Sequence, residues 1–184
     1  SWAPDRVQRL KQHRSQQVAP ESAEPVVNEA TLQFDFPGYR GADRDGIGHG
    51  PPLNRDWRTS PPREVWRQPC GGGYAGFAIE GPRVVTIEQR RGDEVVVCYD
   101  AQTGAELWTY GYPALFSETM GGDGPRATPT IHQGMVYSLG ATGDLHCLDL
   151  ETGDTRWSRN ILADAGGVKN LQWGMSGSPL IYGD

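Results

Sequence analysis

An eleven-residue pattern occurs twice in this chain, 49 residues apart. The first copy runs Cys98-Tyr99-Asp100-Ala101-Gln102-Thr103-Gly104-Ala105-Glu106-Leu107-Trp108. The second runs Cys147-Leu148-Asp149-Leu150-Glu151-Thr152-Gly153-Asp154-Thr155-Arg156-Trp157. Cys, Asp, Thr, Gly and Trp coincide at every offset. A second landmark, Thr128-Pro129-Thr130-Ile131, is echoed 50 residues on by Ser178-Pro179-Leu180-Ile181. Self-similarity at a step of roughly 20–50 residues marks a repeat architecture, in which neighbouring copies cover each other's apolar faces.

Short apolar runs separated by turn signals fill each copy. In the second, Met135–Leu139 reads as a strand, Gly140-Ala141-Thr142-Gly143 as a turn, Asp144–Asp149 as the next strand and Thr155–Arg159 as the last. In the first, the runs are Tyr74–Ile79, Arg83–Glu88, Glu94–Asp100 and Glu106–Tyr110, with a central hairpin, Gln89 to Asp93, longer by about two residues. Glycine supplies positive φ in such turns, and the preceding Asp and Thr can bond their own backbone. Four short strands in each roughly 40–50 residues make one blade of a β-propeller. The expected fold is therefore all-β, a partial propeller of four-stranded antiparallel blades.

Trp66, in Glu64-Val65-Trp66, repeats the end of the pattern without the Asp-Thr-Gly turn before it. The expected organisation is a polar arm over 1–33, a leading segment with an orphan outer strand over 34–72, and a blade with its following connection over 73–123. A second blade and connection follow over 124–172, then the first strand of a further blade over 173–184. An orphan outer strand at one end is expected to complete a blade whose inner strands lie C-terminal to residue 184, so the chain reads as a piece of a longer ring.

Composition sets bounds. Gly 25 and Pro 14 suit a turn-rich β chain. A net charge of −6 argues against a nucleic-acid or anionic-membrane surface, and no nucleic-acid partner is expected. Of 17 basic residues only Lys11 and Lys169 are lysine; arginine favours bidentate pairs between blades. Three cysteines make no disulfide framework. Cys98 and Cys147 read as small buried residues, and Cys70, beside Gly71-Gly72-Gly73, as a surface one. No apolar run spans a bilayer. Residues 1–30 carry balanced charge with Pro20 and Pro25 as breakers, the signature of a linker.

The repeat resembles that of the pyrroloquinoline-quinone-like (PQQ-like) β-propeller proteins of bacteria, of the form Ala-x-Asp-x-x-Thr-Gly-x-x-x-Trp. Asp100, Thr103, Gly104 and Trp108 match it, as do Asp149, Thr152, Gly153 and Trp157; Cys98 and Cys147 stand for its Ala. The leading segment Phe36 to Gly46 is similar to the Phe-Arg-Gly-Pro-Asn-x-Asp-Gly stretch of these proteins, and Gly124 to Thr130 and Trp173 to Pro179 also fit. In that family the Trp docks on a neighbouring blade, a position that suits a large aromatic between two sheets. Ser1-Trp2-Ala3-Pro4 resembles the stretch that follows membrane helices in one subgroup, which implies an anchor upstream of residue 1.

Asp43-Arg44-Asp45-Gly46 lacks the ligand spacing of an EF-hand and reads as an Asp-held turn. Gly174-Met175-Ser176-Gly177-Ser178 fails the nucleophile elbow, whose Gly must come two residues after the Ser. Gly71-Gly72-Gly73 and Gly121-Gly122-Asp123-Gly124 open no helix, so neither is a phosphate cradle; they read as places where crowded inner strands let backbone pass closely. The histidines show no metal-ligand spacing, and His146 reads as a packed histidine. No catalytic or metal residues are assigned. Glu118, Asp123, Arg126, Lys169 and Trp173, in the two longest inter-blade segments, are the candidate contacts to a ligand or partner at the ring mouth.

The leading expectation is a non-catalytic binding or assembly scaffold, periplasmic or otherwise extracytoplasmic, with a tether to the inner membrane implied by the resemblance, unknown protein partners and no cofactor in this stretch. The alternative is part of a PQQ- and calcium-dependent dehydrogenase of alcohols or sugars, whose adjacent cysteines and carboxylate–Asn–Asp set are not found in this stretch. A third is that the stretch has no independent function and self-associates through open strand edges.

Overall fold

The structure, a computed structural model, describes residues 34–183 together with Gln8 and Gln12. The expected arm, including the membrane-flanking resemblance at Ser1–Pro4, otherwise lies outside the described residues.

Two four-stranded antiparallel sheets form in chain order. The first holds β1 (Ala78–Glu80), β2 (Arg83–Arg90), β3 (Asp93–Asp100) and β4 (Glu106–Pro113). The second holds β5 (Thr130–His132), β6 (Met135–Leu139), β7 (Asp144–Asp149) and β8 (Thr155–Asn160). Each strand pairs with its neighbour in sequence, so β1 and β5 are innermost and β4 and β8 outermost. Asn160 caps one helical turn, α1 (Ile161–Asp164), by accepting the Leu162 and Ala163 N–H groups on its Oδ1.

The central strands are buried on both faces, which is why they read as near-continuous apolar runs rather than alternations. Val85, Ile87, Val96 and Cys98 point at the second sheet. There they meet Ile131, Val136, Leu148 and Leu150 in one core between the blades. On the opposite face Val84, Val97 and Tyr99 form a smaller cluster, and the Trp66 ring lies 6.1 Å from that of Tyr99. Cys98 and Cys147 are buried free thiols on the third strands, and Cys70 is an exposed one.

Several elements differ from the sequence expectation. The extra residues of the first hairpin extend the ladder to Gln89↔Glu94 and Arg90↔Asp93, leaving only Arg91-Gly92 as the turn. Arg91, not the glycine, takes the positive φ there (61°), and in the β5–β6 turn Gln133 (49°) does so together with Gly134 (71°). The innermost strand is shorter than Tyr74–Ile79: only Ala78–Glu80 makes a ladder, with a separate bridge at Gly72↔Gln89. Glu64-Val65-Trp66 and Ser178–Tyr182 have no ladder partner among the described residues and form no strand there.

Antiparallel order fixes the two ends. The β2–β3 and β6–β7 hairpins lie at one end, with the connections leaving β4 and β8. The β1–β2, β3–β4, β5–β6 and β7–β8 turns lie at the other. At this second end the leading segment crosses the inner strands. Phe36 exchanges two main-chain bonds with Ile79 (2.9 Å each), Pro37 accepts the Ile131 N–H (2.7 Å), and Arg44 donates to the carbonyls of Pro179 and Ser178.

Candidate functional site

The repeat motif builds the joint between blades. Asp100 Oδ1 accepts the Gln102 and Thr103 N–H groups and the Thr103 hydroxyl, while Gly104 donates its N–H to the Asp100 carbonyl. Asp149, Thr152 and Gly153 repeat the pattern in the second blade. Gly104 and Gly153 take φ of 69° and 77°, a region in which glycine carries no Cβ clash. The turn thereby presents a bare backbone to the blade before it. Trp66 donates its indole N–H to the Ala101 carbonyl and Trp108 to the Leu150 carbonyl, both at 2.8 Å. Each ring lies on the glycine: an added Cβ would sit 2.5 Å from Trp66 at position 104 and 2.7 Å from Trp108 at 153. Trp157, the third in the series, is 41 % exposed.

The glycine clusters lie side by side at the hairpin end. Gly72 exchanges two main-chain bonds with Gln89, and Tyr74 donates to the Pro125 carbonyl. A Cβ on Gly124 would meet the Gly72 carbonyl at 2.5 Å, and one on Gly71 the Gln89 carbonyl at 2.2 Å. Close backbone passage is what these glycines permit.

The proposed rim residues divide. Glu118, Asp123 and Arg126 come together in the β4–β5 connection, but as its internal scaffold. Glu118 Oε2 accepts the Met120 (2.9 Å) and Gly121 N–H groups, which hold its carboxyl below the usual carboxylate range. Asp123 accepts the Ser117 hydroxyl (2.6 Å). Arg126 donates to the Gly122 and Gly124 carbonyls and lies 4.4 Å over the Phe116 ring, with Tyr74 at 5.7 Å. Lys169 and Trp173 belong to the next connection and are exposed. Gly174 links the two loops: a Cβ there would lie 3.1 Å from Phe116 and from the Ala141 carbonyl.

Beside polar residues such as Ser117, Thr119, Lys169 and Gln172, these two loops offer large apolar side chains to solvent. Leu115 (58 % exposed) and Met120 (82 %) come from the first, Leu171 (62 %) and Trp173 (48 %) from the second, with Tyr74 beside Arg126. Sequence reading selected Trp173 and passed over the others. The available signal was the presence of large apolar residues in Gly-rich connections, outside any strand period.

Behind the loops lies a buried polar joint. Glu94 Oε2 accepts the Tyr112 hydroxyl (2.6 Å) and Oε1 accepts the Ala141 N–H (2.9 Å). His146 packs edge-on to Tyr110 and tilted against Tyr112, with centroids at 5.0 and 4.2 Å, and its Nδ1 is 3.4 Å from the Tyr110 hydroxyl. Burial lowers the His146 pKa, against the raising field of Asp144. The arrangement fixes two blades together and presents no nucleophile to solvent. Among the described residues no group of three or more His, Cys, Asp and Glu could hold a metal ion, and no helix is long and apolar enough to cross a membrane.

A family model described as outer membrane protein assembly factor BamB matches residues 58–184. The chain belongs to this family. Within it and beyond, solved PQQ-repeat propellers are similar. BamB from Moraxella catarrhalis is 28 % identical over 47 % of this chain and 24 % of its own, with a TM-score of 0.39. Quinohemoprotein alcohol dehydrogenase from Comamonas testosteroni is 14 % identical, covering 97 % of this chain and 26 % of its own, with a TM-score of 0.57. The second likeness shows the fold, a partial β-propeller. The chain spans about a quarter of the length of these two proteins. No curated protein matches it.

Proposed function

We propose that this BamB-family stretch is part of a propeller that works outside the cytoplasm as a non-catalytic binding or assembly scaffold. The observation that carries the reading is the hairpin-end rim, where Leu115, Met120, Leu171 and Trp173 stand exposed on two linked loops. The charged neighbours Glu118, Asp123 and Arg126 are taken up in holding the first loop. Exposed aromatic and apolar side chains over a rigid base are the usual anchors of a protein interface. The family description, an outer membrane assembly factor, supports a protein partner and an extracytoplasmic site. An anchor upstream of residue 1 is part of the proposal and rests on the resemblance at Ser1–Pro4.

The test is site-specific photo-crosslinking from positions 120 and 173 of the full protein in its source cells. Recovery of one protein partner from both positions, with capture from position 120 lost when Trp173→Arg is added, supports the scaffold. Failure to capture any reproducible partner, with a PQQ chromophore and calcium in the purified protein, overturns it in favour of a quinone-dependent dehydrogenase.

A further inference from the structure

Glu94 has no solvent exposure at all, and no cation pairs with it among the described residues. Directly across the β2–β3 ladder stands Gln89. Gln89 exchanges both its main-chain bonds with Gly72 on its other side. Toward Glu94 it is therefore the close, non-hydrogen-bonded kind of pair, with Cα atoms about 4.5 Å apart and both side chains on the face that meets the second blade. The Gln89 amide is also buried. Its Nε2 donates to the Ala114 (2.7 Å) and Arg91 (3.2 Å) carbonyls, while its Oε1 has no donor.

A carboxylate offers only acceptors, whereas a carboxylic acid carries one donor. Beside an acceptor that lacks a partner in a dry joint, one proton converts a repulsion into a hydrogen bond. We propose that Glu94 is a neutral acid at neutral pH and donates its O–H to Gln89 Oε1. The titratable and charged groups facing it are Tyr112 on β4, Asp144 on β7 and Arg126 in the β4–β5 connection. Burial is the largest influence and moves the Glu94 carboxyl above its ordinary value. Asp144 acts in the same direction, and the bonds from Tyr112 and Ala141 and the charge of Arg126 act against it.

The proton bears on the rim. Ala141 donates to Glu94 with its N–H and accepts the Asn170 amide (3.0 Å) and the Met175 N–H (2.9 Å) with its carbonyl. The loop that carries Trp173 thus hangs from the hairpin that Glu94 holds. The folded pKa lies above the unfolded one, so this contribution to stability is complete below the unfolded value and is lost as pH rises through the folded value. The inference stands whether or not the rim binds a partner.

The test is carbon NMR of the Glu94 side-chain carboxyl in the wild-type protein, with Glu94→Gln and Gln89→Leu alongside. The expected result is a protonated acid signal at pH 7. Glu94→Gln, whose amide donates to Gln89 and accepts from Ala141 but cannot accept the Tyr112 hydroxyl, should melt lower than wild type at pH 7 by no more than the loss of that one bond. Gln89→Leu should move the Glu94 signal toward the carboxylate at the same pH. A carboxylate signal in wild type at pH 7 overturns the proposal. An unchanged signal in Gln89→Leu overturns the acceptor assignment.

Discussion

The indole of Trp108 lies so close on Gly153 that a Cβ there would stand 2.7 Å from its ring. Gly153 also holds φ at 77°. Gly153→Ala therefore meets two penalties. Forcing the ring off costs roughly 1–3 kcal/mol as overpacking, and a Cβ in the left-handed region adds about 1–2 kcal/mol. Gly104→Ala, beneath Trp66, should behave alike, whereas Gly92→Ala, with nothing within 4 Å and no positive φ, should leave stability unchanged. Denaturant midpoints of the three variants check this ordering.

The same joint separates shape from hydrogen bonding. Trp108→Phe keeps most of the ring but removes the donor to the Leu150 carbonyl, an expected loss of about 1 kcal/mol. Trp108→Ala also empties the space between the blades, and about 3 kcal/mol or more should go. If the two variants lose equally, the indole N–H and not the ring holds the joint. Hydrogen exchange at Gly153 and Leu150 would localise either loss.

The turn chemistry was legible because it is local. Asp100 reaches Thr103 three residues on, and Gly104 closes the loop, so the spacing itself encodes the structure. The central and outer strands of the two blades were legible for the same reason, whereas only Ala78–Glu80 of the expected Tyr74–Ile79 strand pairs, because pairing depends on the neighbouring segment. Glu94 was not, because its partner Ala141 is 47 residues away on another sheet, and the approach requires a bare Gly140. Glu118 and Asp123 were picked as contacts from their place in a long connection. Sequence could not reveal that one oxygen of each bonds within the same loop, to Gly121 and to Ser117. The leading segment was recognised, but its crossing over Ile79 and Ile131 depends on how two blades stand together, which no short window contains.

His146 should make the inter-blade joint sensitive to acid. Its folded pKa is lowered from 6.5 by burial, with Asp144 opposing, and its buried Nε2 has no bonding partner. A depressed histidine pKa means that folding favours the neutral ring. The contribution is complete above the unfolded value of 6.5 and is lost as pH falls through the folded pKa. Stability should accordingly decline below pH 6.5 in wild type. His146→Phe keeps an aromatic ring packed against Tyr110 and Tyr112 but removes the titration, so its decline should be smaller. Parallel urea titrations across this range decide it: identical slopes for both proteins would mean that other groups carry the acid sensitivity.

The rim makes a prediction of the opposite kind, a change in binding without a change in fold. Trp173 is 48 % exposed and Met120 82 %, and neither contributes to the core between the blades. Trp173→Ser and Met120→Ser should shift stability by no more than about 0.5 kcal/mol. Each should nonetheless weaken partner capture, Trp173 more, since aromatic anchors dominate interfaces. Phe116→Ser is the informative contrast. Phe116 is buried beneath Arg126 and against Gly174, so its loss should loosen both loops and destabilise the fold as well as binding. Melting midpoints beside crosslinking yields for the three variants check both halves. A rim that tolerates Trp173→Ser with full capture is not the docking surface.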